Sequence, residues 1–128
     1  MYYRVVYMKN RTEAERSLFL QFFGDKPKFR IIDFMLENNL RDFTKTEIAK
    51  GAGLSWASLF AHWDDMERKK IVKLTRAVGR ARLYQLNEKS HLVMLLKNIE
   101  MTLIKEAADA EEEEQGMKIK VKARAKSR

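Results

Sequence analysis

The chain has 128 residues, 45% of them apolar, with 26 Lys and Arg against 18 Asp and Glu, one Pro and no Cys, which fits one ordinary globular domain with charged appendages. No window offers the roughly 18 uncharged apolar residues of a membrane span, and MYYRVVYMKN lacks the apolar run and small-residue cleavage site of a secretory signal, so the sequence predicts a cytoplasmic protein with no membrane partner. Without Cys there is no disulfide framework, thiolate zinc site or thiol nucleophile, and two isolated His are a poor catalytic inventory, so no enzyme, cofactor or metal is expected. A net charge of +8 points instead to nucleic acid as the partner.

In chain order, residues 1–11 form an N-terminal arm. MYYRVVY is either a mobile extension or an edge strand, and Met8 offers a second start. Thr12 with Glu15 is a possible capping box, and Ala14, Leu18 and Phe22 with Phe19 and Phe23 give helical spacing, predicting a first helix over 12–23. Asp25 is placed to cap a second helix with Pro27 in its first turn, its apolar face running from Phe29 to Leu36 and ending at Asn38-Asn39. Thr44-x-x-Glu47 is another capping box, opening a two-turn helix that stops at Gly51. Ser55 caps a fourth helix to about Lys69, with Leu59, Trp63 and Met66 inward at i, i+4, i+7. Two short helices with a Gly-bearing turn between them make a helix-turn-helix.

Ile71 to Thr75 reads as a strand, Val78-Gly79 as a hairpin tip and Ala81 to Leu86 as the return strand, with Leu83 alternating against Tyr84 and Leu86 again inward. From Arg68 to Arg82 this region carries seven basic residues and no acid. A long helix over 90–110 follows, in which Leu92, Leu96, Ile99 and Leu103 repeat with 4-3-4 spacing and form a candidate dimerisation seam. Residues 111–128 read as an acidic linker and a basic disordered tail, the stretch from Lys118 to Arg128 holding six basic residues and no acid.

Helix, capped short helix, Gly turn, longer helix and basic hairpin, in that order, resemble the winged helix-turn-helix fold. The F-G-D-x-P opening, the T-K-T-E-I-A-x-x-A-G-L-S core and the R-x-x-G-R-A-R-L-Y-x-L-N hairpin of residues 23–87 resemble archaeal winged-helix transcriptional regulators, a group related to the ArsR and MarR families. The expected class is mainly α (an α+β winged helix): a DNA-binding domain over 12–89 with a two-stranded basic wing, followed by a dimerisation helix over 90–110. The resemblance implies a DNA-binding transcriptional regulator, nucleoid-associated and homodimeric. A repressor fits better than an activator, because nothing looks like an activation surface.

With Leu59, Trp63 and Met66 inward, the outward side of the recognition helix holds Trp56, Ala57, Ser58, Phe60, Ala61 and His62. Thr44, Thr46, Ser55 and Ser58 lie near helix starts, where hydroxyls and free N–H groups hold phosphates, although simple capping explains Thr44 and Ser55 equally well. This face has no Arg, Lys, Asn or Gln, the usual partners of base edges, so the basic hairpin must supply most affinity. Arg76, Arg80 and Arg82 suit the backbone or a narrow minor groove, and Lys69, Lys70 and Lys73 suit phosphates. Asp64 and Asp65 are expected to point away from DNA. His62-x-Asp64 lacks a third ligand for a metal, and no small-molecule effector site is identifiable. Two other functions remain: an architectural or partition-type DNA-binding protein with little base specificity, and a protein-interaction winged helix suited to Trp56 and Phe60.

Overall fold

The computed structural model describes residues 15–126, so the N-terminal arm, the Thr12 cap and the last two tail residues lie outside the described residues. Among the described residues five helices and one hairpin run in the order α1 (Leu18–Phe23), α2 (Pro27–Glu37), α3 (Lys45–Gly51), α4 (Trp56–Arg68), β1 (Val72–Val78), β2 (Ala81–Leu86) and α5 (His91–Lys126). α1 starts at Leu18, where the Ser17 hydroxyl accepts from the Leu20 N–H at 3.1 Å. Asp25 does not cap α2: Lys26 holds that position with no side-chain bond, and Pro27 sets the first turn. The Asp25 carboxylate instead takes two hydrogen bonds from Arg30 and pairs with Arg16 at 3.2 Å, since a guanidinium fork satisfies both oxygens better than one backbone N–H does.

Helices α2, α3 and α4 wrap one apolar core in which Ile31, Phe34, Ile48, Leu59, Trp63 and Met66 are buried. Gly51 belongs to the last turn of α3, where a Cβ would come within 2.2 Å of the Phe34 ring, so α2 and α3 approach only because that side chain is absent. β1 and β2 pair antiparallel with Val78 opposite Ala81, leaving Gly79-Arg80 as a two-residue loop; Gly79 has φ 60°, as the first position of a type II′ turn requires. Tyr84 and Leu86 face the core while Leu83 is half-exposed on the other face, correcting the inward placement of Leu83. The reason is the strict two-residue period of a strand, which puts Leu86 on the side of Tyr84. Phe43 adds a single antiparallel bridge to Tyr84, so the hairpin is sewn to the segment that leads into α3. This is a winged helix-turn-helix.

α5 corrects the sequence expectation most. It continues to Lys126, through the segment expected to be linker and disordered tail. Residues 105–126 include Ala, Glu, Met, Lys and Arg, all strong helix formers, with no Pro, and the acidic stretch precedes the basic one, the order that favours i,i+4 pairs and suits the helix dipole. One such pair is Glu114 with Lys118 at 3.3 Å. The first half of α5 packs on the domain through Val93 and Leu96, both in the core cluster. Leu96 therefore belongs to the monomer's own core and is unavailable to a dimer seam, whereas Leu92, Leu95 and Ile104 stay exposed.

The C-termini of α3 and α4 close in the same way. Leu54 and Gly53 donate N–H bonds back to Ala49 and Lys50, and Ile71 and Lys70 donate to Met66 and Glu67. The left-handed residue of the first motif is Gly53 (φ 67°); that of the second is Lys70 (φ 58°). A side chain at that backbone geometry costs about 1 kcal/mol. Lys70→Gly should therefore raise stability in chemical denaturation by about 1 kcal/mol; an unchanged or lower midpoint would mean that the lysine side chain itself stabilises the fold.

Among the described residues Asp33 is the one buried ionisable acid, fully buried on α2 with neither carboxylate oxygen hydrogen-bonded. Burial first, then the negative charges of Glu37 and Glu100, push its pKa from 3.8 up to about 8. The folded chain thus holds a proton that the unfolded chain releases above 3.8, and stability falls as pH rises between about 4 and 8, by up to about 1.4 kcal/mol per unit. Asp33→Asn should flatten that slope, matching wild type near pH 4 and exceeding it at pH 8 in thermal melts; parallel pH profiles would refute a proton held at Asp33.

Candidate nucleic-acid interface

α4 is pinned by Leu59, Trp63 and Met66, each fully buried, which fixes the opposite side outward. On it Trp56 and Phe60 are 48% and 45% exposed and pack edge to face, centroids 4.6 Å apart, as an aromatic ridge. Ala57 and Ala61 are exposed beside it, and Ser58 and His62 are half-buried. The outward residues are thus those expected from the spacing.

A groove of about 480 Å³ lies between this ridge, the start of α3 and the wing, lined among others by Thr44, Lys45, Thr46, Trp56, Arg80 and Arg82. Thr44 is occupied as a cap: its hydroxyl accepts from the Glu47 N–H at 3.2 Å and donates to the Glu47 carboxylate, which also takes the Thr44 N–H at 3.0 Å. Thr46, two residues into the helix, is exposed. Ser55 accepts from the Ser58 N–H at 3.1 Å, so it too caps its helix.

The cations divide into two groups. Arg76 donates to both oxygens of Asp42 at 2.9 and 3.2 Å, and Thr75, at the register shift of β1, donates to the same carboxylate at 2.6 Å. The bonds from Arg76 and Thr75 hold the Asp42 carboxyl below its usual range, and the pairing raises Arg76 in turn. Lys73 pairs with Glu88 at 3.1 Å. Lys69, Arg68 and Lys28 all converge on Asp65, whose pKa is lowered chiefly by the Lys69 bond. Asp65 thus points into a cluster of bases, as expected, and Asp64 is exposed. By contrast Arg80, Arg82 and Lys45 have no ion-pair partner among the described residues.

Lys45 was not singled out by the sequence reading. Its ammonium lies 5.4 to 5.7 Å from the ring centroids of Phe60, Trp63 and Tyr84, so the aromatic cluster under the groove holds it in place. The available signal was a lysine at the first position of α3, where the helix dipole disfavours a cation. The arrangement offers three free cations, an aromatic ridge and a helix start on one side of the molecule. Among the described residues no cluster of acidic, His or Cys side chains could hold a metal ion, and no helix is long and apolar enough to cross a membrane.

No known family profile and no curated protein matches the chain. Solved structures do. MepR, a transcription regulator of the Staphylococcus aureus multidrug efflux pump MepA, aligns with a TM-score of 0.54 at 17% identity, over 90% of this chain and 88% of its own. A double mutant of ZitR from Lactococcus lactis, in apo form, aligns at 0.52 and 16%, over 77% and 74%. A point mutant of MepR from a multidrug-resistant S. aureus clinical isolate aligns at 0.52 and 17%, over 84% and 82%. At these identities the likeness is one of fold, and the fold this chain shares with them is the winged helix.

Proposed function

We propose that the protein is a DNA-binding transcriptional regulator that grips duplex DNA as a homodimer, with α4 in the major groove and the wing on the backbone or in the adjacent minor groove. The observation that carries this reading is the convergence of Lys45, Arg80 and Arg82, without ion-pair partners among the described residues, on the groove beside the exposed face of α4. Phosphate oxygens are the ligands that such a set neutralises, and each contact made displaces condensed counterions. Trp56, Phe60 and His62 lie against sugars, thymine methyls or base acceptors, Ala57 allows close approach, and Ser55, Ser58, Thr44 and Thr46 bring helix starts to the backbone. Lys69, Lys73 and Arg76 act after exchanging their carboxylate partners for phosphates, so they add less than free cations do. The fold of the transcription regulators described above supports the reading, and repression is its simplest form, since occupancy of a promoter alone suffices.

The dimer is proposed through the apolar side of α5 that its own domain does not use. Leu92 and Leu95 are exposed, and Leu95, Ile99 and Leu103 border a groove of about 420 Å³ closed by Phe22. A two-fold axis there would present two recognition helices about 34 Å apart to a pseudo-palindromic site. A second reading, an architectural protein with little base specificity, is favoured by one observation: the outward face of α4 offers no Arg, Lys, Asn or Gln.

Fluorescence anisotropy on a duplex retained from genomic DNA tests these roles. Lys45→Ala, Arg80→Ala and Arg82→Ala should each weaken binding and lower the slope of log K against log salt by about one, whereas Arg76→Ala and Lys73→Ala should change it less. Equal losses from the exposed Lys105 would remove the groove from the account. Leu95→Glu should turn the dimer into monomer by sedimentation, abolish two-half-site binding and remove the concentration dependence of the melting temperature while keeping the helical circular dichroism of the domain; a wild-type monomer would exclude the dimer outright.

A further inference from the structure

α5 is longer than the domain it packs on. One stripe of it repeats with 3-4 spacing from Val93 to Arg124. The domain covers the first part of that stripe, where Val93 and Leu96 are buried and Leu103 and Ala107 half-buried. Beyond Ala107 the same stripe runs on through Ala110, Met117 and Val121, with Met117 69% and Val121 66% exposed. Residues 108–115 and 117–125 are all exposed, so roughly 28 Å of helix stands clear of the domain. A helix draws most of its stability from packing one face, and this one carries an apolar face past the edge of its own core.

The charges on this segment are ordered. Glu106, Asp109 and the run Glu111 to Glu114 precede Gly116; Lys118, Lys120, Lys122, Arg124 and Lys126 follow it with no acid among them. Turned end for end, the segment is therefore its own electrostatic complement.

We propose that this end of α5 docks antiparallel on the same segment of a second copy, about a two-fold axis between Gln115 and Gly116. With the stripe as seam, Ala110 faces Val121 of the second copy, Glu114 faces Met117 and Ala107 faces Arg124. Beside the seam Glu111 meets Lys118 and Glu113 meets Lys120, each twice by symmetry. Lys118 pairs with Glu114 of its own helix at 3.3 Å, an exposed contact of little energy that leaves the ammonium able to meet Glu111 as well. A parallel pair would lay acid on acid and base on base. The lengths also agree: Ala107, where the domain's cover ends, falls opposite Arg124, so each helix stops at the edge of the other's domain. Glu114 and Arg124 keep the seam partly polar and the interface is small, which makes the contact weak and sensitive to salt.

The second copy here differs from the one proposed at Leu95. Two copies related by one two-fold axis have no second one, and the axis at Gly116 lies roughly 25 Å farther along α5 than Ile99. The tail contact therefore joins one dimer to the next, and a dimer with two tails extends into an open chain. The pairing itself rests neither on the DNA reading nor on the Leu95 dimer.

The chain has no Cys, so single cysteines test the register directly in the full-length protein. Ala110→Cys mixed with Val121→Cys and oxidised with diamide should give the mixed disulfide, identified by mass, in at least tenfold the yield of either variant's own dimer. In this register two copies of residue 121 stand roughly 16 Å apart along the helix axes, beyond the reach of a disulfide. Molar salt should cut the yield at least fivefold. Glu111→Lys with Glu113→Lys in the Ala110→Cys chain should do the same, and Lys118→Glu with Lys120→Glu in the Val121→Cys chain should restore it. Adding Leu95→Glu to both chains should leave the cross-link in place, which separates this contact from the dimer at Leu95. No mixed cross-link at submillimolar protein, self-linking of Val121→Cys as strong as the mixture, or loss of the cross-link with Leu95→Glu would each overturn the proposal.

Discussion

The contact on which the rest of this structure depends is that between Trp63 of α4 and Tyr84 of β2, whose rings meet edge to face with centroids 5.0 Å apart. Both are buried, and they come from the two elements that must present one surface. Such a pair adds about 0.5 to 1.5 kcal/mol beyond the area it buries, but its greater effect is geometric. Through the backbone bridge of Tyr84 to Phe43, and the packing of Phe43 on Phe34 at 5.0 Å, the same cluster fixes the entry to α3. Helix α4, the hairpin and the start of α3 are thus three outgrowths of one aromatic core, and Lys45 stands above its edge. On the proposed function, DNA would meet a surface already assembled, so little ordering entropy would oppose contact.

Charge counted along the chain differs from charge available to a partner. The basic run of Arg68 to Arg82 looks uniform in sequence, yet Asp42, Asp65 and Glu88, all outside that run, neutralise much of it in the fold. Exposed pairs of this kind contribute little to stability, so on the proposed function they could be exchanged for phosphate at small cost. They hold long side chains close to the surface and leave Arg80 at the wing tip and Arg82 exposed without an ion-pair partner among the described residues. On the proposed function, selectivity for a polyanion would arise from this difference between paired and free bases.

Much of the fold was legible because local rules and tertiary demands agree. Thr44-x-x-Glu47, Ser55 and the i, i+4, i+7 spacing of Leu59, Trp63 and Met66 each fix an element end or face without reference to the rest of the chain. What was missed depended on distance. Asp25 satisfies Arg30 rather than a helix end; Leu96 turns toward its own core because α5 crosses the domain beside Val93. The helical continuation of α5 to Lys126 was locally encoded but read from charge instead of propensity. Asp33 gave no sequence signal at all, since an acid among apolar residues of a helix reads as its wet face until the packing of α1 and α5 is known.

The site therefore combines a rigid aromatic base, a narrow set of free cations and an outward helix face that is apolar rather than rich in amide and guanidinium groups. The measurement that tests its role most directly is retention of fragmented genomic DNA of the source by the purified protein at about 150 mM salt, where nonspecific binding is weak, followed by sequencing of the retained fragments. The account predicts a small set of enriched sites with pseudo-palindromic half-sites one helical turn apart. Retention of no DNA at that salt would contradict it.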